Sequence, residues 1–253
     1  MQAEERQLRI GEYVQKVEFA SLEELARFVH ASISTVRRDL TILEAEGVLR
    51  RTHGGARLTA QPRSDEFIFA ARDMREAAEK EAIGKACAEL IGPSLSLILD
   101  AGTTVYHVAR YLEAKRPQII TNSLPVANLY ASSSQVEVVV TGGVIYPRLG
   151  VLLGPLAVTT FRGLHADIAV MGASGITGEG ITNSHALMID IQLAMIKAAS
   201  QVIFCLDHTK LGRSSMAFLC DLSEVDVVVT DSKAPKDQVE AIRRAGPKVV
   251  TAD

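Results

Sequence analysis
Apolar residues follow two different rules along this chain. Up to residue 58 they recur three and four positions apart: Leu22, Leu25, Ala26 and Val29 within SLEELARFVH (21–30), then Val36, Leu40 and Leu43 beyond a short ASIS link. That is the period of amphipathic helices with one buried stripe. From residue 95 onward they come instead as short continuous runs: LSLIL, QII, VEVVV, ADIAVM, QVIFCL, VDVVV and a closing KVV. Each run but the last ends in a small polar cluster (DAGTT, TNS, TGG, GASG, DHTK, TDS) and a helical stretch follows. Strands buried on both faces need such runs, and helices between them imply a parallel sheet. The pattern predicts α/β architecture, a helical N-terminal module followed by a doubly wound parallel-sheet domain.

The first module is expected over 1–58. Ser21 and Glu24 have capping-box spacing, and Ser34 is expected to cap the second helix. Rotation by about 100° per residue places Ser34, Arg38 and Thr41 opposite the stripe of Val36, Leu40 and Leu43, with Thr35 and Arg37 on the flanks. VLRRTHGGARL then alternates around a Gly54-Gly55 turn, a two-stranded ribbon carrying Arg50, Arg51 and His53. Two short helices on a tight link, with arginines at the start of the second and a basic hairpin next, match a winged helix-turn-helix that enters a DNA major groove. Expected DNA contacts are Ser34, Thr35, Arg37, Arg38, Thr41, Arg50, Arg51, His53 and Gly54. The alternative is a solvated helix face balanced by Asp39, Glu44 and Glu46, with the hairpin as packing.

The totals change this picture only by what they withhold. Lys+Arg 27 against Asp+Glu 30 gives a formal charge of −3, so a nucleic-acid role must come from placement. Placement supplies it: Arg37, Arg38, Arg50, Arg51 and Arg57 crowd into the end of the first module. The three cysteines lie far apart, with no metal-site spacing, which predicts reduced thiols and no metal. No cofactor motif is present. No run reaches the roughly 18 apolar residues of a membrane span, and the expected location is cytoplasmic.

The stretch TVRRDLTILEAEGVLRRTHGGA resembles the signature of the DeoR family of bacterial transcriptional regulators. The resemblance implies a sequence-specific regulator, usually a repressor of sugar-metabolism genes, acting on operator DNA.

Residues 59–72 are expected as a linker, opening with TAQPRSDE, and 73–253 as the α/β domain, led by a helix from about Asp73 to Leu90. In doubly wound sheets ligands sit beyond the carboxyl ends of the strands, where every polar cluster here falls. Gly102, Thr103 and Thr104 lie between a strand and a helix, an arrangement suited to an anion or simply to a helix cap. TNS and TGG repeat it on neighbouring strands. Lys210 could offer charge to a phosphate and Asp207 could accept from sugar hydroxyls; a surface turn is the alternative. GASGITGEG lacks the dinucleotide spacing. His107, His185 and His208 are expected as capping or surface residues, and Met171, Met188 and Met195 as core.

These clusters are also similar to the DeoR family's C-terminal sensor, related in fold to ribose-5-phosphate isomerase. The resemblance implies a phosphorylated-sugar effector contacting Asp100, Gly102, Thr103, Thr104, Asn122, Ser123, Gly142, Gly143 and Lys210. It departs at Gln192-Leu193, where the family often has Lys-Arg. The rival class is a sugar-phosphate isomerase or deaminase fused to a DNA-binding module, with Asp100, Glu179, Asp207 and Lys210 as acid/base groups. An activator built from the same parts stays open, and a homodimer or homotetramer is expected because one winged module makes few contacts.

Overall fold
The structure, a computed structural model, describes residues 3–17, 19–45, 48–52, 54–58 and 68–253. The chain divides into two units, Met1–Glu66 and Phe67–Asp253. In the first, α1 (Ala3–Val17) lies outside the expected elements; it contributes Ile10 and Val14, one turn apart, to the core. After β1 (Phe19–Ser21), the Glu24 N–H donates to Ser21 Oγ at 3.1 Å and the Ser21 N–H to Glu24 Oε2 at 2.9 Å. This closes the expected capping box at the start of α2 (Leu22–Phe28). The recognition-type helix α3 (Ile33–Ala45) begins two residues earlier than expected, because Ser32 and not Ser34 is its cap, its Oγ accepting from the Thr35 N–H at 3.2 Å. Val36, Leu40 and Leu43 are buried as the period requires.

The wing has three strands where two are expected. β2 (Leu49–Thr52) and β3 (Gly55–Leu58) pair antiparallel, and β3 also pairs with β1. Gly55 pairs with Thr52, so it belongs to a strand and not to the turn. A Cβ there would lie 2.1 Å from the Ala20 carbonyl oxygen, and only glycine permits that approach of β3 to β1.

In the second unit, α4 (Phe69–Met74) takes up the end of the expected linker and the first residues of the expected helix, and the long helix starts later, at α5 (Ala77–Leu90). Between them Glu76 is left-handed at φ 48°, and Lys80 donates to the carbonyls of Arg72 and Arg75. The seven predicted runs become β4 (Ser96–Leu99), β5 (Gln118–Thr121), β6 (Glu137–Val140), β9 (Ala166–Met171), β12 (Ala199–Cys205), β14 (Val227–Asp231) and β15 (Lys248–Ala252). All pair in parallel, in the order β15-β14-β12-β9-β4-β5-β6.

Alternate residues of these strands feed two cores, one on each face. Leu97, Leu99, Ile168, Val170, Ile203 and Val229 pack with α5, α6 (Thr103–Ala109) and α7 (Leu124–Leu129). Ile98, Ala169, Met171, Phe204 and Val228 pack with α8 (Pro155–Arg162), α9 (Ile189–Lys197) and α10 (Lys236–Arg244). Met171, Met188 and Met195 are core, as expected. Each fully buried aliphatic side chain favours the fold by about 1.5–3 kcal/mol, which is why both faces must be covered. β6 departs from that rule: as the edge strand it leaves Val139 and Val140 about two-fifths exposed.

Smaller antiparallel pieces complete the unit. β7 (Val144–Tyr146) pairs with β8 (Val151–Leu153), and β10 (Gly175–Thr177), β11 (Gly180–Asn183) and β13 (Ala217–Cys220) form a separate sheet. GASGITGEG is therefore a hairpin. No helix among the described residues is long and apolar enough to cross a membrane.

Candidate nucleic-acid interface and effector site
On α3, Ser34, Arg37, Arg38 and Thr41 are exposed and Thr35 is half-buried. The guanidinium groups of Arg37 and Arg38 meet no carboxylate among the described residues. Their neighbour Asp39 is turned away and buried, accepting from Arg6 Nε at 2.6 Å, Arg6 Nη2 at 3.1 Å and Gln7 Nε2 at 3.1 Å on α1. The carboxylate that could have neutralised the arginine pair is thus committed to a second helix.

The wing differs. Arg51 donates from its backbone N–H to Glu44 Oε1 at 2.9 Å, from Nε to Glu44 Oε2 at 2.9 Å and from Nη1 to Thr41 Oγ1 at 2.6 Å. Gly54 has open space around it. His53 and the Arg50 side chain lie outside the described residues.

In the second unit the strand order fixes where a ligand would sit. The chain runs β4-β5-β6 outward, then returns to place β9 on the other side of β4, so the sheet changes direction between β4 and β9. A crevice opens at the carboxyl ends of such a pair. Asp100 follows β4 and Gly172 follows β9, and the Gly172 N–H donates to Asp100 Oδ2 at 3.1 Å. Gly102 lies against Gly172, where a Cβ would come within 3.5 Å of the Gly172 Cα. Gln192 Nε2 also donates to Asp100 Oδ2. Burial raises the Asp100 carboxyl above the usual range, against hydrogen bonds and the charge of Arg72.

Along β4, β5 and β6 three buried atoms have no hydrogen-bond partner: Asp100 Oδ1, Asn122 Oδ1 and Thr141 Oγ1. Asn122 Nδ2 is engaged by the Leu152 carbonyl at 3.1 Å, and Ser123 Oγ caps α7 by accepting from Val126 at 3.3 Å. Thr103 and Thr104 are buried in the first turn of α6, a helix of only seven residues. Gly142 and Gly143 divide: Gly142 has ordinary contacts, whereas Gly143, at φ 137°, would put a Cβ 2.5 Å from the Leu153 oxygen, so it serves the β7–β8 pairing.

Cations gather near two buried carboxylates, Asp100 and Asp207. Arg72 on α4 lies near Asp100 and Asp207; burial pulls its pKa down and the two carboxylates oppose the shift. Lys80 is lowered by burial in the same way, with Asp207 opposing and Lys210 reinforcing. His185 is lowered by burial and by Arg72 and Arg148. Lys210 Nζ is 4.0 Å from Asp207 Oδ2, and Asp207 Oδ1 accepts from the Thr209 N–H at 3.0 Å, so Asp207 caps the short helical turn that carries Lys210. Cations crowded and desolvated in this way gain from an anion. The sequence does not foretell that Arg72 and Lys80 lie near these carboxylates: one falls in the expected linker, the other in a charged helix.

His107 is a correction. Expected as a capping or surface residue, it is buried, Nδ1 at 2.7 Å from Glu81 Oε2 and Nε2 at 3.2 Å from Asp73 Oδ1. The close crossing of α5 and α6 forces it inward, since a Cβ at Gly84 would lie 2.7 Å from the His107 backbone.

Residues 6–61 match the DeoR-like helix-turn-helix domain and residues 75–232 the DeoR C terminal sensor domain. The chain is 32% identical to the HTH-type transcriptional regulator GolR of Listeria innocua, over 98% of both chains. It is 31% identical to the HTH-type transcriptional repressor GlcR of Bacillus subtilis, over 100% of this chain and 98% of that one. Among solved structures, a ribose 5-phosphate isomerase from Methanocaldococcus jannaschii is similar at 14% identity and a TM-score of 0.38, over 52% of each chain. Helix-turn-helix, sensor and full-length relatives agree, and the chain belongs to the DeoR family.

Proposed function
We propose that this protein is a DNA-binding transcriptional repressor that leaves operator DNA when a phosphorylated sugar enters the sensor unit. The observation that carries it is the free arginine pair: Arg37 and Arg38 project from α3 unneutralised while Asp39 is held by Arg6. Arginine and hydroxyl contacts from Ser34, Thr35, Arg37 and Arg38 grip phosphates and read base edges, and Gly54, with Arg50 and His53, approaches the backbone from the wing. Repression as the sign is supported by the printed name of GlcR. The effector enters through its two kinds of group. Its phosphate meets Arg72, Lys80 and Lys210, and its hydroxyls meet the unpartnered acceptors of Asp100 and Asn122, with Thr141, beside Gly102, Thr103, Thr104, Ser123, Gly142 and Asp207.

The enzyme reading loses support at two of its residues. Glu179 sits in the exposed turn between β10 and β11, and the side chain touching Asp100 is an amide, which is neither an acid nor a base near neutral pH. The protein works in the cytoplasm as a homodimer or homotetramer, placing its modules on successive operator half-sites. A panel of sugar phosphates, tested for release of the protein from DNA upstream of its own gene with turnover followed in the same samples, decides the matter. Release without turnover is expected; turnover of any member, or release by none, overturns the proposal.

A further inference from the structure
Arg51 is the one wing arginine whose side chain is described in contact with others, and all of those contacts are internal. Its Nε and backbone N–H occupy both oxygens of Glu44, and its Nη1 rests on Thr41 Oγ1. Thr41 in turn donates to the Arg37 carbonyl at 2.9 Å, so the chain of bonds runs from the middle of β2 into the body of α3. On the other side of the ribbon, Arg51 pairs across the sheet with Ala56, next to the Gly55 that locks β3 onto β1. Thr41 and Arg51 are spent on each other instead of standing free like Arg37 and Arg38.

We infer that Glu44 and Thr41 hold Arg51 as a positioning residue, one that fixes the wing against the recognition helix and does not neutralise a DNA phosphate. The charges of Glu44 and Arg51 cancel locally, so the pair releases no counterion when DNA binds. Its contribution is to specificity, because base contacts from α3 and backbone contacts from the wing must be made in one register. The inference rests on the DNA-binding reading above.

The test uses the full chain and a duplex selected in vitro from a random-sequence pool, with the unselected pool as non-specific DNA. Affinity is measured by fluorescence anisotropy between about 50 and 200 mM salt, the range in which counterion release is read. R38Q is the reference: loss of one phosphate contact makes the slope of log affinity against log salt shallower by roughly 0.9. The double variant E44Q/R51Q is expected to keep the wild-type slope while its preference for selected over pool DNA falls on the order of tenfold. E44Q alone frees Arg51 to reach a phosphate and is expected to steepen the slope by roughly 0.9.

A double variant whose slope becomes shallower like that of R38Q overturns the inference, because Arg51 is then a phosphate contact. An unchanged preference overturns it too, since nothing was positioned. Should circular dichroism show the double variant unfolded, E44Q decides alone: no steepening overturns the inference. Absence of salt-dependent binding by the wild type sinks the DNA-binding reading itself, whereas normal wild-type and R38Q behaviour confines any failure to Arg51.

Discussion
Gln192 Nε2 donates to Asp100 Oδ2 at 2.8 Å and to the Gly172 carbonyl at 3.0 Å, while Gln192 Oε1 accepts from Asn183 Nδ2 at 2.8 Å. A single amide ties the two strand ends at which the sheet reverses direction. It also explains the departure from Lys-Arg at this point: a neutral donor orients Asp100 without neutralising it, and leaves Oδ1 open.

Replacing Gln192 by Leu keeps the volume and removes all three bonds. Asp100, Gly172 and Asn183 then lose a partner in a buried setting, at about 1–3 kcal/mol for a group left unsatisfied. Thermal unfolding of Gln192→Leu is expected to fall by several degrees, with DNA binding of the folded protein retained. An unchanged melting temperature rules the network out as a structural tie.

Asp100 gives a pH dependence whose sign follows from its burial. The folded chain raises this carboxyl above its unfolded value near 3.8, so the folded state holds the proton more tightly. The charged form therefore weakens the fold, fully so above the raised pKa; the penalty fades as pH falls through that raised pKa and is gone below the unfolded value. Asp100→Asn removes the charge and is expected to raise the melting temperature of the ligand-free protein at pH 7 by roughly 2–4 °C, or about 1 kcal/mol. The gain over wild type shrinks on acidification. A gain that grows toward low pH contradicts the assignment.

What the sequence made legible follows from what repeats. The seven β-rich runs were readable because two buried faces demand unbroken Val, Ile and Leu, and the α3 stripe because Val36, Leu40 and Leu43 keep one helical side. β1 is three residues long and α4 only six, too short to establish a period. Arg72 was hidden for that reason: its partners Asp100 and Asp207 are brought to it by the sheet and not by spacing. The Arg51–Glu44 pair was hidden differently, since alternation places Arg51 on a strand face without saying which helix residue meets it.

Adjacent glycines of the wing have separate jobs, which gives a paired prediction. Gly55→Ala drives a methyl into the Ala20 carbonyl, a backbone contact that cannot move aside, whereas Gly54→Ala meets nothing within 4 Å. Gly55→Ala is expected to destabilise the first unit by about 1–3 kcal/mol, as overpacking does. Gly54→Ala is expected to melt like the wild type and to weaken DNA binding only, through its closer approach to the backbone. Circular dichroism melts with anisotropy titrations separate the two, and equal destabilisation of both contradicts the assignment of Gly55 to β3.

Arg72 lies near Asp100 and Asp207, and Lys210 near Asp207, one arriving from α4 before the sheet begins and one from the turn after β12. Neither is satisfied by a close ion pair: Arg72 has none among the described residues, and Lys210 stands at 4.0 Å from Asp207. A phosphate between them gains charge-assisted hydrogen bonds worth about 1.5–3 kcal/mol each. Arg72→Ala and Lys210→Ala are therefore expected to bind operator DNA as the wild type does, yet to need roughly 10- to 100-fold more sugar phosphate for release. Linkage adds a second reading of the same variants. If the effector lowers DNA affinity by some factor, DNA lowers effector affinity by that factor, so each variant shifts the effector titration equally with and without DNA when it acts only on the ligand. A variant that shifts only the DNA-bound titration acts on the coupling and not on the phosphate. Release of either variant at the wild-type concentration removes that residue from the site.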